Sequence, residues 1–118
     1  MTTSFKDLIV WQKAIQLCLL VYELTSTFPT SERFGLTNQL RRASVSIASN
    51  IAEGCRRSTK GENLQFLGHA RDSNCEVQTQ VVIARGLGFG SEAKMRAVEG
   101  LCEEIGKMVV VMMRKLRA

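Results

Sequence analysis

A chain of 118 residues has room for one hydrophobic core but not for two, so a single domain spanning 1–118 is expected. Its 45% hydrophobic and 23% charged content is that of a globular rather than a disordered chain, and one proline with few aromatics argues against a set of short, turn-bounded strands. The formal net charge of +5 keeps nucleic acids and acidic proteins open as partners.

The N-terminal MTTSFKD leads directly into an amphipathic segment carrying Gln12, Lys13 and Gln16, which is unlike a signal peptide. The longest apolar run near the C-terminus, Met108 to Met113, is too short to cross a bilayer. A soluble cytoplasmic protein with no membrane partner is the expectation. The first helix is predicted over residues 6–27 and is stopped by Pro29. Leu8, Trp11, Ile15, Cys18, Leu19 and Tyr22 line one side of it, and Val10, Ala14, Leu17, Val21 and Leu24 extend the apolar arc past a half-turn. One core needs a stripe of about 100° or somewhat more. The excess implies burial on two sides, by the chain's own bundle and by a neighbouring subunit.

A short connector with Thr30 and Ser31 as candidate caps leads to a second helix over 35–53, with Gly54 where a left-handed C-terminal cap is expected. Its segment QLRRASVSIASNIAEG places Leu40, Ala43, Ile47 and Ile51 along one side. Arg42, Ser46, Ser49 and Glu53 form a polar stripe opposite, with Asn50 on its border. Small hydroxyls and an amide let another surface approach closely, and they need hydrogen-bond partners once covered. Arg42 and Glu53 are too far apart to touch along one helix, so each is expected to pair with the third helix, where Arg71, Asp72 and Glu76 offer opposite charges. Arg42, Ser46, Ser49, Asn50, Glu53, Arg71 and Glu76 thus form a predicted structural polar seam that sets how helices or subunits meet.

The third helix is predicted over 59–87, opened by a capping box of Thr59 and Glu62. Gly86, Gly88 and Gly90 end it. That run superficially resembles a phosphate loop, but it lacks the Gly-Lys-Ser/Thr ending and a preceding strand, and it reads as an interhelical turn. Ser91 caps a fourth helix over 91–117, with Glu92 near its positive end. Met95, Val98, Cys102, Ile105, Val109, Met112 and Leu116 alternate steps of three and four, and Leu101, Met108 and Met113 widen that seam. Four long helices with short connections predict an all-α, antiparallel up-down-up-down four-helix bundle.

Catalytic chemistry is sparse. Phe66 stands three positions before His69, the one histidine, so a Glu-x-x-His pair is missing, and no motif gathers a nucleophile and a carboxylate around it. A hydrogen-bonded, interfacial histidine is expected. Cys18, Cys55, Cys75 and Cys102 are widely spaced, which favours reduced core thiols over a zinc site. No enzyme activity, metal or cofactor is expected. Cations, by contrast, cluster. Arg41 and Arg42 lie early in the second helix, Arg56, Arg57 and Lys60 surround its end, and Arg114, Lys115 and Arg117 close the fourth. Such charge is favourable at a helix C-terminus in itself, and it also suits phosphate contacts that oligomeric symmetry would repeat.

The chain resembles the family of four-helix bundle proteins encoded by intervening sequences of bacterial 23S ribosomal RNA genes. The resemblance rests on Phe5-Lys6-Asp7-Leu8, Trp11 and Ala14, then Phe28-Pro29, Glu32-Arg33-Phe34-Gly35-Leu36-Thr37 and Gln39-Leu40-Arg41-Arg42-Ala43. Its centre is Ser46-Ile47-Ala48-Ser49-Asn50-Ile51-Ala52-Glu53-Gly54, followed by Phe66-Leu67, Ala70-Arg71, Ser73, Glu76 and Leu87-Gly88-Phe89. Asp72 and Asn74 depart from the pattern, where glycine and an apolar residue are expected. The resemblance implies an up-down bundle assembling into a homopentameric ring. It also implies similarity to the accessory variability determinant of diversity-generating retroelements, a basic ring that engages a reverse transcriptase and nucleic acid.

The expectation is therefore a non-enzymatic homo-oligomer that binds structured RNA or other nucleic acid. Arg41, Arg56, Arg57 and Lys60 are the expected phosphate contacts, with Arg114, Lys115 and Arg117 as a second cluster, and no aromatic interleaving suggests base stacking. The alternative is a protein-interaction scaffold, or an accessory subunit for an acidic protein partner or for a nucleic-acid enzyme such as a reverse transcriptase.

Overall fold

The computed structural model describes residues 4–118. A 3-10 turn over Phe5–Asp7 precedes four helices: α1 (Ile9–Thr25), α2 (Leu36–Cys55), α3 (Lys60–Gly86) and α4 (Glu92–Arg117). A second 3-10 turn, Thr30–Glu32, lies in the first connection. Each helix packs on its chain neighbours and α1 closes the square on α4, with α2 and α3 in the most extensive contact. Rising numbers on one helix meet falling numbers on the next. Arg41 and Ser44 of α2 bond Thr25 and Cys18 of α1, and Asn74 and Arg85 of α3 bond Cys102 and Glu99 of α4. The result is an all-α, antiparallel up-down bundle shaped as a rod of 46 × 22 × 21 Å. The start of α1, the end of α2, the start of α3 and the end of α4 consequently share one end of the rod.

The predicted helices exist, and their ends differ for local reasons. Leu8 is extended (ψ 127°) and separates the first 3-10 turn from α1. Neither Thr30 nor Ser31 caps α2. Glu32 does so instead, its Oε1 accepting from the Leu36 N–H at 3.0 Å. Gly54 is not a left-handed cap, because α2 continues through Cys55 and buries Gly54 inside its last turn. A Cβ at Gly54 would lie 3.2 Å from Phe66 Cβ and 3.4 Å from Asn63 O, so the glycine serves the close approach of α3. Thr59 opens α3 as expected, accepting from the Glu62 N–H at 3.1 Å, and Ser91 opens α4, accepting from the Lys94 N–H at 3.3 Å. The glycine-rich turn closes α3 with a Schellman arrangement. The Gly88 N–H donates to Arg85 O at 3.1 Å, the Phe89 N–H to Ala84 O at 3.0 Å, and Gly88 has φ +76°.

The core joins Leu17, Leu24, Leu40, Ile47, Ile51, Leu67, Met95 and Ile105, all fully buried. The broad apolar arc of α1 divides here. Val10, Ala14, Leu17, Val21 and Leu24 enter the core, Trp11, Ile15 and Cys18 are half-buried, and Leu19 (64%) and Tyr22 (43%) are exposed. In α4 the expected seam holds from Met95 to Val109, after which Met113 is buried and Met112 and Leu116 are only partly covered. The natural period of 3.6 drifts from a strict seven-residue repeat, and this end of the helix follows the drift. Asn74 occupies a buried position where an apolar residue was expected. Its Nδ2 donates to Cys102 O at 2.9 Å, and Gly106 leaves it space, since a Cβ there would sit 3.2 Å from that nitrogen.

Candidate nucleic-acid interface

Chain direction decides where the cations fall. Because α2 and α4 both end where α1 and α3 begin, Arg56, Arg57 and Lys60 share one end of the rod with Arg114, Lys115 and Arg117, and Lys6 precedes α1 there. All are exposed. Arg57 pairs with Glu53 at 2.9 Å and lies 4.5 Å from the Phe66 ring centroid. Among the described residues, Arg56, Lys60, Arg114, Lys115 and Arg117 have no ion-pair partner. Exposed cations of this kind are hydrated and open to contacts with phosphate oxygens.

Arg41 does not belong to that cluster. It precedes Arg56 along α2 by about 22 Å of helix, and its guanidinium lies 4.5 Å from the Tyr22 ring while its Nε donates to Thr25 Oγ1 at 2.9 Å. Aromatic rings lie against two of these cations, Tyr22 beneath Arg41 and Phe66 beneath Arg57. Arg41 and Tyr22 meet across two helices, and Arg57, in the loop after α2, folds back on Phe66 of α3, so neither pairing is marked by adjacent residues.

The polar stripe of α2 splits between interior and solvent. Ser46 and Asn50 enter the α2–α3 seam. Asn50 Nδ2 donates to Ser46 O at 2.8 Å and to Ser46 Oγ at 2.9 Å, and Ser73 Oγ of α3 donates to the same hydroxyl at 2.9 Å. Ser49, Arg42 and Glu53 are exposed. The expected ion pairs to α3 do not form among the described residues: Glu53 turns to Arg57 in the loop just past its own helix, and Arg71 lines the groove between α3 and α4. The helices approach closely enough around Ala43, Ser46 and Gly54 to admit only small groups, so longer side chains leave at the edges. One edge is a cleft of about 430 Å³ bounded by Arg42, Ser46, Ser73, Glu76 and Gln80. Among the described residues Arg42 and Glu76, which line it, have no ion-pair partner, and the buried Oε1 of Gln80 has no hydrogen-bond partner.

The closely coupled charges lie elsewhere. Arg85 at the end of α3 donates to Glu99 at 2.7 and 3.0 Å and to Glu92 at 2.9 Å. These bonds hold both carboxyls below their usual range and raise the guanidinium. Glu92 and Glu99 are spaced to share one face of α4, which is the signal that sequence reading missed. His69 is not the expected hydrogen-bonded histidine. It is exposed, with its ring edge-on to Phe66 at 6.0 Å. The cysteines are free, and only Cys102 is a fully buried core thiol; burial pushes it up to about 12. Cys18 is half-buried and accepts from Ser44 Oγ, whereas Cys55 and Cys75 are exposed. Among the described residues no group of three or more His, Cys, Asp and Glu is placed to hold a metal ion, and no helix is long and apolar enough to cross a membrane.

The fold has a counterpart among solved structures. A crystal structure from Bacteroides thetaiotaomicron, described as a protein with unknown function from the S23 ribosomal protein family, has a TM-score of 0.79 and 16% sequence identity. The similarity covers 89% of this chain and 98% of that one, and at such identity it concerns the fold alone. No curated protein matches the chain. The profile of the 23S rRNA-intervening sequence proteins matches residues 6–111, which covers α1 to α3 and most of α4, with both sides of the α2–α3 seam. On that match, the chain belongs to the 23S rRNA-intervening sequence protein family.

Proposed function

We propose that this protein is a non-enzymatic, homo-oligomeric bundle that binds nucleic acid, with structured RNA as its target, through the basic end of the rod. The observation that carries this reading is the meeting of two sequence-distant basic clusters, at the ends of α2 and α4, on one molecular end. Asp7, Glu53 and Glu62 are the acidic residues close to that end in sequence, and Glu53 is already paired with Arg57. A ring of copies would present the cations repeatedly and multiply their pull on a polyanion. The exposed side chains on the outer face of α1 supply an apolar surface for such assembly, and the family resemblance supplies the subunit number, a homopentamer.

Fluorescence anisotropy with a structured RNA over a range of salt tests the reading. Joint replacement Arg56→Ala and Lys60→Ala is expected to reduce the slope of log affinity against log salt by about two. Arg33→Ala, near the opposite end, is expected to leave that slope unchanged. Undetectable binding of both RNA and DNA at low salt overturns the proposal.

A second reading, an acidic protein partner, draws on the α3–α4 groove. Arg71, Lys107 and Arg114 border an apolar trough of Val110 and Val111, and the buried Asn74 Oδ1 lacks a partner. A protein captured from nuclease-treated lysate and released by Arg71→Glu would support it, and capture abolished by nuclease would overturn it.

A further inference from the structure

The α2–α3 cleft is distinct from the basic end and shows a different chemistry. Its cation and its carboxylate, Arg42 and Glu76, share one hollow yet remain unpaired, and Gln80 adds an orphaned amide oxygen. Arg42 and Glu76 are exposed and hydrated, so they require no partner. Across one hollow, however, they present a guanidinium fork from α2 and carboxylate acceptors from α3, a pattern complementary to a ligand with donors on one edge and acceptors on another. A phosphate does not satisfy them, because Glu76 would repel it. Asp72 borders an adjoining hollow with Glu76 and Gln80 and strengthens that repulsion.

Guanine has the complementary edges. Its N1–H and one N2 proton match the two oxygens of Glu76, and the second N2 proton is met by Gln80 Oε1 once that oxygen turns out of the wall in which it is buried. Its O6 and N7 present two acceptors that match an arginine fork. Adenine and uracil cannot supply both edges. We propose that this cleft receives an unpaired guanine of a nucleic-acid strand, with Glu76 and Gln80 on the Watson–Crick edge and Arg42 on O6 and N7. The Ser46–Asn50–Ser73 hydrogen bonds hold the seam beneath it.

A strand rather than a free nucleotide is favoured by the neighbouring surface. On the side away from Asp72, the cleft shares Asn38, Arg42 and Ser46 with a second hollow that adds Arg41 and the exposed Tyr22. Flanking phosphates would lie there, beside cations and clear of the α3 carboxylates. The inference rests on the nucleic-acid reading above, and it assigns the selective step to the cleft while the basic end supplies attraction that is blind to sequence.

Labelled RNA heptamers, uniform in uracil or carrying one central guanine, adenine or inosine, test it by anisotropy at fixed salt. The guanine heptamer is expected to bind about tenfold more tightly than the uracil and adenine ones. Inosine, which lacks the N2 amine, is expected to fall between. Glu76→Gln, an exposed change checked for folding by circular dichroism, is expected to bring guanine and uracil within about twofold while leaving affinity for uniform uracil unchanged or higher. Joint Arg56→Ala and Lys60→Ala should weaken all heptamers alike and keep the preference. Equal, salt-dependent binding of all heptamers by the unaltered protein overturns the guanine assignment and leaves the basic-end reading standing, whereas absence of any binding at low salt overturns both. Competition by GMP as effective as that of the guanine heptamer overturns the strand assignment, and much weaker competition supports it.

Discussion

Gly90 has φ +76°, and a Cβ there would lie 2.8 Å from Leu24 Cδ1 and 2.9 Å from Phe28 Cε1. The glycine admits both an unusual backbone and two buried side chains, so Gly90→Ala is expected to lower unfolding free energy by about 1–3 kcal/mol in urea titrations. Gly100→Ala is expected to act in the opposite direction, raising it by roughly 0.5–1 kcal/mol, because Gly100 lies in the interior of α4 with no heavy atom within 4 Å of the new methyl. The thiols divide equally clearly. Cys55 and Cys75 should react with a chromogenic disulfide in the native protein, and Cys102, buried with its ionisation pushed up to about 12, only after unfolding. Native-state labelling of Cys102 at the rate of the exposed pair would refute that assignment. At this scale, legibility depended on distance along the chain. The Thr59 and Ser91 caps are local and were readable, whereas the fit of Asn74 against Cys102 and Gly106 exists only once two helices meet.

Between elements, the tightest coupling is the Arg85 fork, which fastens the end of α3 to the first turns of α4 across the glycine turn. Glu92 and Glu99 titrate lower folded than unfolded, chiefly because Arg85 donates hydrogen bonds to them. Their stabilising contribution is therefore fully present above the unfolded carboxylate range, about pH 4.5, and is lost as pH falls through the depressed folded values. Arg85→Met should lower Tm at neutral pH, and the gap from the unaltered protein should close as the buffer is acidified. A gap constant down to about pH 2 would show that the fork contributes through packing alone. Helix existence was legible because the apolar periodicity is strong in α2 and α4. The split of α1 into a buried stripe and an exposed one was not, since an apolar residue carries no label for which neighbour covers it.

For the whole molecule, charge and apolar surface are both placed unevenly. Cations gather at one end of the rod, while Leu19, 64% exposed, leaves an apolar surface on the outer side of α1. Leu19→Glu puts a charge on the most exposed large apolar side chain of α1 without touching the core, and it should shift native mass from oligomer to monomer while leaving helical content unchanged. A native mass that is monomeric before the substitution rules out assembly through this face.

The sequence by itself determined four helices, the Thr59 and Ser91 caps, the apolar stripes of α2 and α4 and the family, because each is written in local periodicity or in contiguous motif. Only the tertiary structure decided what the polar motif faces. Antiparallel packing drew Ser46 and Asn50 into a close seam with Ser73, left Arg42 and Glu76 unpaired at its edge, and carried two distant basic clusters to the same end. The physical reason is that helix spacing and direction, which no local pattern encodes, set which polar groups are near enough to bond and which are left facing solvent.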